Sequence, residues 1–359
     1  MPIKVLVTPL NWGLGHATRC IPIIQSLIEL NAEVIIAGSG ISLELLKPVF
    51  PQLTFILLKE KEITYPNNGQ MGMQLIKMLP RLFFNLVSDH QQVKKIIKQH
   101  SVGLIISDNR FGCWNKKCYS VFITHQITIQ SPVQLKWIQP FINSINHFFI
   151  RRYNECWIPD VKELPGLSGI LSHRDYYLPS FHFINPLSRF ADCVIKVSEK
   201  KYELVAILSG PEPQRSIFEK LILSEVQKLK MDALIIRGTS HSAILPTVSS
   251  SIKILNQLET SELKFHLLNA KYIVCRSGYS SMMDLACIGR SAIIIPTPGQ
   301  TEQEYLASFF HLQKKHFMQL QSQFDLTNAI KGVNKCVNPA LDCNNSLLKE
   351  NVLRVIQFS

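Results

Sequence analysis

The sequence contains no run of roughly eighteen apolar residues, so no segment is expected to span a bilayer. It has no C-x-x-C pair, and its nine cysteines (20, 113, 118, 156, 193, 275, 287, 336, 343) show no paired spacing. That scatter argues against a zinc ribbon or a disulfide framework and reads as reduced, buried thiols. No Asp-x-Asp is present, so a divalent metal is not expected. Acidic residues are scarce: 26 Asp and Glu face 38 Lys and Arg, a formal net charge of +12. Such a balance points to a polyanionic neighbour, whether nucleic acid, an anionic membrane face or a phosphorylated substrate. Nucleic acid is set aside, because there is no cysteine–histidine finger, no basic helical stripe and no aromatic RNA-binding signature. The opening "MPIKVLVTPL" has too short an apolar run and no small-residue cleavage site for a secretory signal, and a cytoplasmic location is expected.

What is present is long enough for two domains. The chain has 359 residues, 46% of them hydrophobic, enough to bury two cores. Apolar strand-like runs alternate with helix-like ones: "KVLVTPL", a helix through "ATRCIPIIQSLIELN", "AEVIIAGS", a helix "ISLELLKPVF" and "LTFILLK". An irregular stretch "EKEITYPNNGQMG" precedes helices through "QLIKMLPRLFFNLVSDHQQVKKIIKQH", then strands "VGLIISD" and "SVFITHQ". Unbroken Val/Ile/Leu runs between helices predict a parallel sheet covered on both faces, with ligands at the carboxyl ends of its strands. From about 160 to 200 the periodicity fades and the segment, with a short strand "FHFINPL", reads as an interdomain connection. The alternation then restarts at "ELVAILSG" and continues to "TEQEYLASFFHLQKKH". The predicted class is α/β, with two doubly wound Rossmann-like domains facing across a cleft. Expected boundaries are 1–185, a connection 186–202, a second domain 203–340, and a C-terminal helix within 341–359 packing back on the first domain.

Chemistry concentrates at the strand ends. In "NWGLGHATRC", Gly13 and Gly15 bring a strand-to-helix turn close to any ligand, and the helix N-terminus behind them favours anions. The dinucleotide fingerprint is incomplete, lacking the third glycine, and both a tight structural turn and a ligand loop fit the pattern. His16, at the mouth of that turn, is the candidate general base; a helix-capping or exposed histidine is the alternative. Asp108, in "ISDNRFG", either orients and charge-stabilises His16, acts as a base itself, or makes an Asx turn. "FITHQ" delivers His125 and Gln126 to the next strand end, on the acceptor side, with a hydrogen-bonded loop histidine the favoured reading.

In the second half, "LSGPEPQR" places Ser209, Gly210 and Arg215 after the first strand, where N–H groups and a guanidinium suit a diphosphate. In "CRSGYSSMMDLACIGRSAIIIPTPGQTEQEYLA", Arg276, Ser277 and Gly278 end a strand, while Ser280 and Ser281 open a helix that carries Asp284. Hydroxyls and N–H groups at a helix start suit phosphate, whereas a carboxylate one turn in accepts from ribose hydroxyls. Ser280 and Ser281 as plain helix caps is the competing reading.

On these residues the chain resembles the GT-B glycosyltransferases, and within them the family-28 group, which includes the transferase adding N-acetylglucosamine to the lipid-linked peptidoglycan precursor. The resemblance covers both domains and is most specific over 275–307. It implies a UDP-sugar held mainly by the second domain, with Ser277, Gly278, Ser280 and Ser281 near the diphosphate and Asp284 on the ribose. Gln300, Glu302 and Gln303 are implied at the sugar, and His16 at the acceptor hydroxyl. Three features depart from that group: the first loop lacks the longer glycine run, Asp284 stands where the peptidoglycan enzyme has Glu, and "SGPEPQR" is poor in serine and glycine.

The expected reaction is metal-independent inverting transfer of a hexose or N-acetylhexosamine to a lipid-linked or saccharide acceptor. No cofactor is expected beside the donor substrate. Arg215 or Arg276 and the helix N-termini would stabilise the departing diphosphate. A sugar-nucleotide epimerase or hydrolase, a non-catalytic sugar-nucleotide-binding protein and a basic interaction protein are the alternatives. Two stretches, 75–86 and 135–152, mix bulky apolar and cationic residues. We read their apolar residues as core, with an interfacial helix on an anionic membrane surface as the alternative.

Overall fold

The computed structural model describes residues 2–61, 71–173, 178–198, 200–210, 212–239, 243–339, 341 and 343–358, with 71–79 described by backbone alone. Most of the stretch read as irregular, 60–72, lies outside these residues. The chain forms two compact units.

One unit comprises Met1–Ile63, Gly72–Ser188 and Cys343–Ser359. Its strands are β1 (Lys4–Pro9), β2 (Glu33–Gly38), β3 (Thr54–Leu57), β4 (Leu104–Asp108), β5 (Tyr119–Ile123), β6 (Glu155–Ile158) and β7 (Phe181–Phe183). Its first four helices are α1 (Leu14–Glu29), α2 (Gly40–Val49), α3 (Met71–His100) and α4 (Gln139–Ile150). The strands lie in the order β3-β2-β1-β4-β5-β6-β7, every pairing parallel. Val5–Val7, Ile35–Ala37, Leu104–Ile106 and Val121–Ile123 are buried without alternation, as strands covered on both faces must be. The direction of strand addition reverses between β1 and β4, which opens a crevice at their carboxyl ends. The register Pro9↔Asp108 brings the "NWGLGH" turn beside Asp108.

The other unit, built on Arg189–Asp342, repeats the scheme. Its strands are β8 (Leu204–Ile207), β9 (Ala233–Ile236), β10 (Ile252–Leu255), β11 (Tyr272–Cys275), β12 (Ile293–Ile294) and β13 (Phe317–Met318). Its helices are α5 (Gln214–Lys228), α6 (Thr260–Asn269), α7 (Tyr279–Cys287), α8 (Thr301–Leu312) and α9 (Leu326–Val333). The order β10-β9-β8-β11-β12-β13 is again all parallel and reverses between β8 and β11. Leu204, Ala206, Phe218, Ile222, Val274 and Ile293 are among the residues of its core.

The last helix, α10 (Ser346–Gln357), belongs to the first unit and lies against α1. Arg354 holds it to β6, its Nη2 donating to Glu155 Oε2 at 2.7 Å and its Nη1 to Oε1 at 2.5 Å. Tyr119 Oη and Trp157 Nε1 donate to the same carboxylate, so a buried glutamate is satisfied on every side. Lys349 pairs with Glu29 at 2.8 Å.

Two expectations are corrected here. The segment read as connection from about 160 already belongs to the first unit: Phe181–Phe183 pair with Cys156–Ile158 as its edge strand. Asp160 ties the preceding loop by accepting from the Leu167 and Ser168 N–H groups at 2.8 Å each. Of the bulky apolar residues of 135–152, Ile150 is core, but the aromatic ones at 137, 141 and 148 are not. Trp137 is 79% and Phe141 68% exposed, with Ile145 and Phe148 beside them, because Asn146 and Ile150 take the inward face of α4. In 75–86 the side chains of 75–79 lie outside the described residues, and Phe83 and Phe84 are exposed.

All nine cysteines are free thiols, Cys20, Cys113, Cys118, Cys156, Cys275 and Cys343 being buried. No helix among the described residues is long and apolar enough to cross a membrane.

Candidate active site

The first site forms where β1 and β4 hand over to their loops. Gly13 stands at the start of α1 with φ +84°, a left-handed conformation that favours glycine. A methyl group there would meet nothing within 4 Å. No side chain caps α1 among the described residues. Gly15 lies in the first turn of α1, and its carbonyl accepts from Thr18 Oγ1.

His16 follows on α1 with its side chain 15% exposed, and Asp108 is fully buried. The imidazole Nδ1 lies 2.9 Å from Asp108 Oδ2. One turn on, Arg19 is also buried and donates through Nε to Asp108 Oδ1 at 2.6 Å, with its Nη2 also paired to that oxygen. Nη2 lies 2.9 Å from His16 Nδ1, and Nη1 3.4 Å from His125 Nδ1. A guanidinium only donates, and an ionised carboxylate only accepts. At Nδ1 the two neighbours therefore make opposite demands: Asp108 calls for a ring proton there, which leaves Nε2 its lone pair, whereas Arg19 Nη2 calls for the lone pair at Nδ1 itself.

The charges favour a neutral ring beside an ionised carboxylate. Burial alone would raise the Asp108 carboxyl, but Arg19 and His16 beside it hold it below the usual carboxylate range. Burial, and then the Arg19 charge, push the His16 imidazole below its ordinary value despite Asp108. The ring is thus neutral near pH 7, as a base must be. The sequence placed His16 and Asp108 as the catalytic pair, and the structure brings them together. It assigns no role to Arg19, whose part depends on Asp108 arriving from another strand.

His125 is buried against Arg19, which fits a hydrogen-bonded loop histidine. Gln126 is half-buried; its backbone N–H donates to Thr124 Oγ1 and its carbonyl accepts from Asn146 Nδ2. Behind this site lies an ion cluster the sequence did not suggest. Arg110 donates to both oxygens of Asp89 and to Glu60, while Asn11 Nδ2 donates to the second Glu60 oxygen. It joins the loops after β1, β3 and β4 to α3, and the signal was invisible because its members come from four segments.

The second site forms where β8 and β11 end. Ser209 and Gly210 are half-buried, and Gly210 has φ +112°. At α7 the cap is Gly278, so Ser280 and Ser281 lie inside the first turn and are not caps. A methyl group on Gly278 would meet nothing within 4 Å, and no side chain caps this helix among the described residues. Near the Gly210 turn lies Thr297, whose buried hydroxyl has no partner among the described residues. The sequence reading missed it. An uncapped N-terminus, a left-handed glycine turn and an unsatisfied hydroxyl are what an anion needs.

Several expected donor contacts are placed otherwise. Arg215 is turned into its own helix, pairing with Glu212 and with Glu219 at 2.6 Å and donating to Ser216 Oγ, so its charge is already met. Arg276 is fully buried. It donates to the carbonyls of Ile295, Pro296 and Gln214 and to Gln321, lies over the Phe218 ring, and burial pushes it down to about 9. Both arginines brace the loops instead of presenting a guanidinium to a ligand. Ser277 donates its hydroxyl to the Gln303 carbonyl at 2.8 Å, tying the start of α7 to α8. Gln303 accepts from the Thr297 N–H and donates to Gln300 Oε1, so its amide shapes the loop. Gln300 caps α8 by position, and Glu302 stands in its first turn. Asp284, on α7, receives Arg189 Nε at 3.2 Å; Arg189 is a further residue the sequence did not single out. Among the described residues no group of three or more His, Cys, Asp or Glu is arranged to hold a metal ion.

Residues 204–354 match the glycosyltransferase family 28 C-terminal domain. No curated protein sequence matches the chain. Among solved structures, the glycotransferase of kitacinnamycin superposes with a TM-score of 0.62 at 12% identity, covering 99% of this chain and 94% of that one. The spinosyn rhamnosyltransferase SpnG complexed with thymidine diphosphate gives 0.62 at 12% identity, covering 99% and 95%. MurG of Acinetobacter baumannii gives 0.52 at 12% identity, covering 100% and 96%. At such identities the likeness is one of fold. The chain has the two parallel-sheet α/β domains of the GT-B glycosyltransferases, and its second half carries the family 28 C-terminal domain match.

Proposed function

We propose that the protein is a glycosyltransferase that moves a hexose or N-acetylhexosamine from a UDP-sugar to a lipid-linked or saccharide acceptor, with inversion and without a metal. One observation carries it: a buried carboxylate lies 2.9 Å from Nδ1 of an imidazole that burial holds below its ordinary pKa, at the carboxyl end of β1. The acceptor hydroxyl gives its proton to His16 Nε2 as its oxygen attacks the anomeric carbon, and Asp108 stabilises the imidazolium that forms. The bond from that carbon to the diphosphate oxygen breaks, leaving UDP with the electron pair. The uncapped N-terminus of α7, Gly278 and the Gly210 turn take up the charge that grows on it. The C-terminal family 28 match and the GT-B fold support the donor class.

Thermal-shift measurements against UDP-sugars, with a TDP-sugar included because one neighbour holds thymidine diphosphate, test the donor. A ligand held only by the folded state raises the melting temperature. A flat response to every nucleotide sugar overturns the reading. His16→Ala should keep the UDP-sugar shift and lose transfer; transfer at the wild-type rate removes His16 from the mechanism. Release of free UDP or sugar interconversion without an acceptor would favour the hydrolase or epimerase instead. Saturation without any turnover would favour a binding protein.

An anionic membrane surface is the second partner we propose, with the protein peripheral on the cytoplasmic face. The exposed stripe Trp137, Phe141, Ile145 and Phe148 on and before α4 favours it, bordered by Lys136, Arg151 and Arg152. Arg152 lies over the Phe148 ring at 4.4 Å, and the stretch 109–154 holds no Asp or Glu. Aromatic side chains among cations suit an interfacial site. Salt-sensitive sedimentation with phosphatidylglycerol vesicles, lost in Trp137→Ser/Phe141→Ser, is expected; no binding to such vesicles ends the proposal.

A further inference from the structure

We propose that Arg19 is the positioning residue of the His16–Asp108 pair, holding the carboxylate as the common acceptor that dictates which ring nitrogen bears the proton. Its catalytic consequence rests on the transferase reading; its geometry does not. His16 and Arg19 stand three residues apart on α1 and so share one face of the helix. Among the described residues, the only side chains within hydrogen-bond reach of Asp108 are these two, and Arg19 Nη2 also lies 2.9 Å from His16 Nδ1. The groups facing the cluster are Arg19 and Cys20 from α1, Asp108 from β4 and His125 from the loop after β5. Cys20 is a thiol that burial pushes well up, so it stays protonated and uncharged.

The charge count explains why a guanidinium is needed there. One cation, one carboxylate and a neutral imidazole sum to zero, which a site this buried tolerates. Without Arg19 the same pocket holds a lone negative charge. Burial then favours taking up a proton, which settles on the His16–Asp108 pair. With that proton on the ring, Nε2 is no longer a base. With it on the carboxyl, Asp108 donates to Nδ1 and the ring proton moves to Nε2, which disables the base equally. Arg19 therefore fixes both the protonation state and the tautomer, without touching a substrate.

The test reads the imidazole directly. In the wild type, nitrogen NMR of His16 should show Nδ1 protonated and Nε2 bare at pH 7; the opposite tautomer overturns the proposal, and this measurement needs no variant. In Arg19→Met the His16–Asp108 pair should take up its proton at least about one pH unit higher, and the acid limb of the kcat profile should rise with it. Arg19→Lys, which restores the charge but not the two-pronged geometry, should return the titration toward wild type. A folded Arg19→Met protein with an unmoved His16 titration and tautomer overturns the proposal. If no nucleotide sugar is turned over while the imidazole behaves as described, the transferase reading falls and the role of Arg19 stands.

Discussion

His16 and Asp108 are 92 positions apart in the chain, yet Nδ1 and Oδ2 meet at 2.9 Å. They meet because β1 and β4 are neighbours where the strand order reverses, with Pro9 opposite Asp108. An aspartate buried at a strand end is costly unless it is paired, and here the pairing also gives the imidazole its orientation.

Replacing that aspartate tests the orientation without changing its size. Asp108→Asn keeps the shape but loses the negative charge that holds Nδ1–H. We expect kcat to fall by about 10² to 10⁴-fold, with the melting-temperature response to UDP-sugar unchanged. Steady-state kinetics with a saturating donor, beside thermal shift, check both halves.

Glycine substitutions separate folding from donor binding in the second unit. Gly278 has φ −70° and open space beyond it, so Gly278→Ala should leave stability within about 0.5 kcal/mol. It should nonetheless weaken UDP-sugar binding, because the new methyl occupies the anion's place. Gly210→Ala forces a side chain into φ +112° and should cost about 1 to 2 kcal/mol. Urea unfolding and donor titration distinguish the two; Gly278→Ala with unaltered affinity would move the diphosphate elsewhere.

Stability should fall on the acid side of neutrality. Burial holds His16 below its ordinary value, and burial with Lys315 nearby pushes His316 down to about 3. His316 Nδ1 accepts from the Ala292 N–H, which only the neutral ring can do. Both groups have folded values below the unfolded 6.5, so the unfolded chain binds more protons as pH drops. Their contribution is complete above pH 6.5 and declines as pH falls toward each folded value. The slope reaches about 1.4 kcal/mol per pH unit for each proton taken up on unfolding. Urea midpoints between pH 8 and 5 measure it, and His316→Asn, whose amide oxygen can accept the same N–H, should flatten the curve.

Removing the arginine that secures α10 should destabilise the first unit. Arg354→Met leaves the buried Glu155 with only Tyr119, Trp157 and the more distant His182 around it. A loss of about 2 to 4 kcal/mol is expected in urea unfolding, with Glu155→Gln less severe because the amide removes the stranded charge. Equal stability of Arg354→Met and wild type would show that α10 is held by its apolar face alone.

The fold was legible because its signals are local. Unbroken runs such as "KVLV" and "LIIS" mark strands buried on both faces, and glycine-bearing turns mark where they give way to helices. The same local grammar located the glycine turns "GLGH" and "SGP" and the strand ends with Asp108 and "CRSG"; that the strand order reverses between them came from the tertiary structure. It misjudged α4, since apolar spacing reports a helical face but not whether anything covers that face. Asn146, a polar residue in an apolar stretch, takes the inward position by donating to the carbonyls of Gln126 and Ile127.

The sequence by itself determined the two parallel-sheet units, the glycine turns and the placing of His16 and Arg19 one turn apart, since all of these depend on neighbours in the chain. Only the tertiary structure decided what those charges do. Arg215 looks free in "PEPQR" and is spent on Glu212 and Glu219; Arg19 looks incidental and grips Asp108. A buried ion's role is set by the partner that reaches it, and that partner arrives through strand order across many residues, which no local pattern records.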